Sequence, residues 1–212
     1  MEGVRVTGRV TTVSRACVVA GGAAACVLLP TSAEAHLVTT GLGPVYDGIS
    51  HVLMSPDDLV PILAMSLLAG LNGPRAGRST LFALTMAWLM GGLAGFVVGQ
   101  APVPGSVAAA SFLVLGGLVA ADRRLSPGMV TAVAVLVGLV HGWLNGAGIA
   151  EAQREVMGLL GIASVTFVIV ALVSAFVVSL RAVWTRIAVR VAGSWIAAIG
   201  LLMLGWSLRG NA

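Results

Sequence analysis

Long apolar runs separated by short polar breaks make up most of this chain. A helix needs about 20 consecutive apolar residues to cross the hydrocarbon layer of a membrane, and several of the runs approach that length. The breaks NGP at 72–74 and SPG at 126–128 carry residues that end one helix and begin the next. The pattern predicts an all-α, polytopic membrane domain over residues 36–212. Its six predicted transmembrane helices cover residues 55–71, 79–99, 106–121, 129–146, 157–180 and 187–207.

The first 35 residues have the pattern of a secretory signal peptide. Arginines precede an apolar segment at 16–29 that is too short to span easily, and residues 33–35, AEA, match a small-x-small cleavage motif. Cleavage there removes Cys17 and Cys26 and makes His36 the first residue of the mature chain. A free His36 offers an amine and an imidazole, a chelating pair for Cu(II) or Ni(II). An uncleaved membrane anchor is the alternative interpretation.

A polar, glycine-bearing segment at 36–55 precedes the first predicted span. It is too mixed to cross a membrane, so we expect an exposed or re-entrant lead-in. Ser55 and Pro56 then predict a helix start, with Ser55 as the capping residue and Pro56 at the first helical position. Asp57 and Asp58 follow in the first turn, where the positive end of the helix dipole favours carboxylates.

Composition agrees with a membrane protein and adds an orientation. The mean hydropathy is +1.02 and 58% of the residues are hydrophobic, more than a soluble domain of 212 residues needs. Basic residues, all of them arginines, concentrate after the first, third and fifth predicted helices. The positive-inside rule therefore predicts that the mature N-terminus lies outside. No dense basic run contains interleaved aromatics, so nucleic acid is not an expected partner; the bilayer is.

This topology gathers the candidate chemistry on the outer side. His51, Asp57 and Asp58 supply one imidazole and two carboxylates, a set that suits nickel, cobalt or zinc. His141 lies inside an apolar run, where a polar side chain is costly and usually faces an interior or a water-filled path. Asn145 is one turn further and shares its face. Structural alternatives remain: the Asp pair caps a helix, and His141 and Asn145 bond between packed helices.

Glycines recur at four-residue spacing in two of the predicted helices. Such a face lets another helix approach closely, either within the chain or in a homo-oligomer. The two series are Gly91, Gly95 and Gly99, and Gly138, Gly142 and Gly146.

The segment HVLMSPDDLVPILAM, residues 51–65, resembles the first signature of the HupE/UreJ family of nickel/cobalt permeases, HPxxGxDHxLAM. His51 and Asp57 match the His and the Asp of that signature. Asp58 stands where the family has its second His. The signal peptide, the six spans and the outward N-terminus are also similar to those of the family.

The segment HGWLNGAG, residues 141–148, resembles the family's other signature, HGxxHGxE. His141 matches, whereas Asn145 and Gly148 replace its second His and its Glu. The resemblance implies a non-enzymatic transporter of the bacterial inner membrane that passes a divalent transition metal inward as its substrate. Nickel or cobalt is the first expectation, copper and zinc are the alternatives, and no organic cofactor is expected. The implied outer capture site consists of His51, Asp57, Asp58 and His141, with Asn145 as a neutral oxygen donor.

Two other classes of function fit the same residues. One is a membrane-embedded zinc metallohydrolase, because histidines and acids can hold a catalytic zinc with an open position. No motif in the sequence indicates a particular reaction, however. The other is a metal-binding accessory protein that does not transport. Metal uptake by proteoliposomes separates transport from both alternatives.

Overall fold

The computed structural model describes residues 40–99 and 106–210 of the chain. The predicted signal peptide, its cleavage site and His36 lie outside the described residues. The described part is helical throughout, with short connections, so the predicted all-α class is confirmed for it. Its helices are α1 (Pro44–Met54), α2 (Pro56–Leu71), α3 (Pro74–Val98), α4 (Ser106–Ala121), α5 (Pro127–Glu151), α6 (Gly158–Ser179) and α7 (Val183–Gly210).

The segment before the first predicted span contains a helix, α1, that the mixed composition did not predict. It ends at Met54, and α2 departs from it at an angle of 75°. Pro56 causes the break, because a proline disfavours helical dihedrals in the residue before it. Ser55 accordingly has extended dihedrals, φ −102° and ψ 101°, while Pro56 occupies the first position of α2 as predicted.

Four helices, α3, α5, α6 and α7, are long and apolar enough to cross a membrane. The bent pair of α1 and α2 passes the same test as a unit, either as a broken span or as a re-entrant loop. The α4 helix has 16 residues and spans about 24 Å, less than the hydrocarbon thickness of about 30 Å. The helices therefore support a multi-pass membrane protein, and the number of six spans stays a prediction.

Three helices extend beyond their predicted limits. The α3 helix begins at Pro74 and not at residue 79, because proline suits the first helical position and Gly73 precedes it at φ 96°. The α5 helix begins at Pro127 and continues to Glu151, and α7 begins at Val183. Several arginines assigned to connections consequently lie in the first turns of helices.

The predicted glycine faces pack α3 against α5, except for Gly99, which follows the end of α3 at φ 77° and where an added Cβ atom meets no described residue within 4 Å. A Cβ atom added to Gly142 would overlap the carbonyl oxygen of Trp88, and one added to Gly146 would overlap that of Gly92. A Cβ on Gly138 would lie 2.7 Å from the carbonyl oxygen of Leu84. Close backbone packing of this kind holds helices together in a membrane. Lipid tails are as apolar as the side chains, so burial of apolar side chains supplies little driving force there. These faces thus serve a contact within the chain, and the homo-oligomer stays a prediction.

The arginine-bearing connections meet at one end of the bundle. Arg186 donates two hydrogen bonds of 2.7 Å to the carboxylate of Asp122, which joins the start of α7 to the connection between α4 and α5. The backbone N–H of Leu125 donates to Oδ1 of Asn72 at 2.7 Å, which joins the same connection to the end of α2. His51 at the end of α1 and the two aspartates at the start of α2 lie at the other end.

This arrangement leads to a test of orientation. Ala152 and Ala182 are exposed residues in connections at opposite ends of the bundle. In a chain whose Cys17 and Cys26 are replaced by serine, Ala152→Cys should react with an impermeant maleimide on intact cells. Ala182→Cys should react only after permeabilisation, because the arginine-rich connections are retained in the cytoplasm. The reverse labelling pattern would place His51 and Asp58 on the cytoplasmic side of the membrane.

Candidate metal-capture site

Asp58 is the centre of a polar cluster inside the bundle. Its residue surface is 5% exposed. Nε2 of His51 lies 3.3 Å from Oδ2, and Nδ1 of His141 lies 3.5 Å from Oδ1. The side-chain amide of Asn145 donates a hydrogen bond of 2.9 Å to Oδ2. Side chains from α1 and α5 therefore surround one buried carboxylate on α2.

The break before Pro56 brings His51 and Asp58 together. His51 lies in the last turn of α1 and Asp58 in the first turn of α2, so the bend sets these two side chains against each other. Gly48 holds α1 in place, because its missing side chain allows contact with the backbone of Gly158 on α6. Ser55 is the N-cap residue of α2 as predicted, but its hydroxyl lies 3.4 Å from Nδ1 of His51 and makes no capping hydrogen bond to the helix.

His141 is buried, with 1% of its surface exposed, and packs against the ring of Trp88 at a centroid distance of 5.5 Å. Its Nε2 lies 3.1 Å from the hydroxyl oxygen of Ser111. That hydroxyl has one proton and donates it to the carbonyl of Ala108 at 2.7 Å. Ser111 therefore anchors the Nε2 side of the ring, and Nδ1 is the nitrogen that faces Asp58.

Trp88 decides the orientation of Asn145. The indole N–H, which can only donate, makes a hydrogen bond of 2.9 Å to Oδ1 of Asn145. The amide nitrogen of Asn145 is therefore turned toward Asp58. In this arrangement Asn145 stabilises the charge of Asp58 and links α3, α5 and α2. Its expected role as an oxygen donor to a metal stays a prediction.

Asp57 does not join the cluster. It is exposed, and no hydrogen bond or ion pair connects its side chain to the other described residues. Its neighbour Asp58 takes the central position instead, since successive residues of a helix point about 100° apart. The capping alternative is not what Asp58 does: its oxygens face side chains of other helices.

Sequence reasoning missed Trp88 and Ser111. A signal for Trp88 existed, because it lies near the middle of α3, away from the membrane boundaries where tryptophans usually concentrate. A buried indole N–H in that position requires a polar partner. Ser111 gave no comparable signal, since serines in membrane helices commonly bond to the backbone of their own helix.

The cluster is not a complete metal site as it stands. Across residues 40–99 and 106–210, no group of three or more His, Cys, Asp and Glu side chains is arranged to hold a metal ion. The geometry explains this, because His51 and His141 approach opposite oxygens of Asp58. The arrangement provides two contacts between an imidazole nitrogen and a carboxylate oxygen, one on each oxygen of Asp58.

Comparison with known proteins adds one finding. No curated protein and no solved structure matches the chain. The sequence model of one family, described as HupE / UreJ protein, matches residues 24–203, a range that includes the whole cluster. Members of that family are known as nickel/cobalt transport proteins or as urease and hydrogenase accessory proteins, and the family is not known as enzymatic. Because the match covers most of the sequence, the chain belongs to the HupE/UreJ family.

Proposed function

We propose that this protein passes a divalent transition-metal ion, nickel or cobalt, inward across the bacterial inner membrane. His51, Asp58 and His141 form the capture site, which opens to the outside. The observation that carries the proposal is the convergence of two imidazoles on a carboxylate that is only 5% exposed, within an apolar bundle. Copper and zinc are the alternative cargoes.

The charge of the cluster favours a cation. Asp58 is shielded from water, and a buried carboxylate is costly unless a cation or hydrogen-bond donors compensate it. Asn145 supplies one donor. No lysine or arginine among the described residues forms an ion pair with Asp58. A metal ion held by Asp58 and the neighbouring imidazoles would supply the missing positive charge.

The donor spacing suits adjacent ligands of one ion. Two ligand atoms about 2.1 Å from a tetrahedral metal are about 3.4 Å apart. The observed separations are 3.3 Å for His51 Nε2 and Asp58 Oδ2, and 3.5 Å for His141 Nδ1 and Asp58 Oδ1. Imidazole and carboxylate ligands together suit nickel, cobalt, zinc and copper.

The incomplete geometry is compatible with transport. Each imidazole pairs with a different oxygen, so binding by all three side chains requires the carboxylate or one imidazole to turn. Such a site binds more weakly than a preformed cage. A transport site must also release its ion, so moderate affinity agrees with this function.

Uptake by proteoliposomes tests the proposal. The full chain in vesicles should accumulate radioactive Ni²⁺ or Co²⁺ in a saturable manner, above protein-free vesicles. His51→Ala/His141→Ala should reduce the initial rate at least about tenfold, because both nitrogen ligands are lost. Vesicles that bind the ion but never accumulate it would identify an accessory protein. Absence of both binding and uptake for Ni²⁺, Co²⁺, Cu²⁺ and Zn²⁺ would refute the metal site as well.

A further inference from the structure

A cavity of about 380 Å³ lies between α3 and α6 at the arginine-bearing end, far along the bundle from Asp58. Arg78 and Arg181 both line it, and a second cavity of about 340 Å³ shares Pro74, Val178 and Arg181 with it. The first volume falls in the range of small-molecule binding pockets. From these features we propose that this cavity binds an anionic phospholipid, with the phosphate between Arg78 and Arg181. The site is separate from the proposed metal site and does not depend on it.

The two arginines are available to a ligand. Neither makes an ion pair or a hydrogen bond with any other described residue, and both side chains are exposed. Arg186 differs, because both of its hydrogen bonds to Asp122 already commit its charge. Guanidinium groups without a carboxylate partner bind phosphate oxygens well.

The walls of the cavity favour a lipid over a free phosphate ion. Pro74 begins α3 and Ser179 ends α6, so the mouth of the cavity lies at the ends of these helices. Leu81 on α3 and Ala171 on α6 are about 10 Å deeper along the helices, on the side of the hydrocarbon layer. The lining is therefore charged at the helix ends and apolar further in. That gradient matches a phosphate headgroup with the start of an acyl chain, whereas inorganic phosphate would leave the apolar walls uncovered.

The location agrees with the predicted orientation. If the arginine-bearing end is cytoplasmic, the cavity opens to the inner leaflet. Basic pockets between membrane helices on that side are favourable sites for anionic lipid headgroups. Ala175, which lines the cavity and is exposed, gives a lipid lateral access from the bilayer.

Native mass spectrometry of the full chain tests this site. The protein would be equilibrated in nanodiscs that contain phosphatidylglycerol and phosphatidylcholine with the same acyl chains, and then released. The parent should retain phosphatidylglycerol preferentially. Arg78→Gln/Arg181→Gln should retain at least about tenfold less, because each arginine attracts the anionic headgroup. The control Arg75→Gln/Arg124→Gln removes the same charge from the same end outside the cavity and should behave like the parent.

A second variant tests the apolar wall. Ala175→Trp should fill the cavity and lower phosphatidylglycerol retention with both arginines intact. Inorganic phosphate added at millimolar concentration should not displace the lipid. Equal losses of phosphatidylglycerol in the two double variants would show that the lipid responds only to the overall positive charge of this end, and would overturn the proposal. So would retention of phosphatidylcholine as strongly as phosphatidylglycerol, full retention in Ala175→Trp, or displacement by phosphate.

Discussion

Asp58→Asn should weaken metal binding by at least about a hundredfold, because the substitution removes the one carboxylate that both imidazoles approach. The shape of the side chain is kept, so Asn145 still has an oxygen to which it can donate. The charge that attracts and holds a divalent ion is lost. Isothermal titration of the purified variant with Ni²⁺, Co²⁺, Zn²⁺ and Cu²⁺ measures the effect.

The adjacent residue supplies a matched control. Asp57→Asn makes the same change of charge in the same first turn of α2, but the Asp57 side chain is exposed and makes no hydrogen bond or ion pair with the described members of the cluster. Its affinity for metal should stay within about twofold of the parent, as for a surface charge that solvent screens. Equal losses in both variants would mean that the two carboxylates act together, which would contradict the central role of Asp58.

Folding should survive the Asp58 substitution. Asparagine keeps the shape of the side chain and an oxygen for Asn145, but it weakens the contacts of the carboxylate with His51 and His141. We therefore expect the same helical content at the assay temperature, with a thermal midpoint below that of the parent. A loss of metal binding with the helical content intact is the loss of a ligand, whereas a loss of helical content at the assay temperature would show that the variant unfolds.

Gly142→Ala should destabilise the bundle by about 2–3 kcal/mol, at the upper end of the range for overpacked cores. The added methyl group would overlap the carbonyl oxygen of Trp88, and backbone cannot move aside as a flexible side chain can. Separation of α3 from α5 would also pull the Trp88 indole away from Asn145, so the cluster around Asp58 should lose its support. The unfolding midpoint in detergent should fall by about 5–10 °C.

Gly148→Ala is the control for this prediction. Gly148 lies on the same helix, near its C-terminal end and off the packed face, and a Cβ atom there meets no described residue within 4 Å. Alanine is a better helix former than glycine by about 1 kcal/mol, so the midpoint should stay equal or rise slightly. If Gly142→Ala and Gly148→Ala unfold at the same temperature, close packing at Gly142 does not stabilise the bundle.

The limits of several helices show why local patterns locate elements better than they locate ends. Apolar runs revealed the long helices, because burial in lipid selects composition over a whole span. The first turns of α3, α5 and α7 were missed, since their polar residues and prolines look like connections in a hydropathy profile. The α1 helix was missed for the same reason: PVYDGISHVLM is mixed in composition and becomes helical where Gly48 packs on α6.

The sequence alone determined the membrane class, the family, the glycine faces and the segregation of arginines from histidines. These properties are written in composition, in motifs or in periodic spacing, so they can be read without knowing which helices are neighbours. It also identified His51, Asp58 and His141 as candidates, because ionisable groups at the start of or inside apolar segments require a reason to be there.

Only the tertiary structure decided how those residues act. The 75° bend before Pro56 selects Asp58 over Asp57 as the carboxylate that faces the imidazoles. Trp88 turns the oxygen of Asn145 away from Asp58, and Ser111 contacts Nε2 of His141 on the side of the ring opposite to Asp58. Trp88 and Ser111 lie on helices distant in sequence from their partners. Hydrogen-bond direction depends on which groups meet after packing, and no local pattern contains that information.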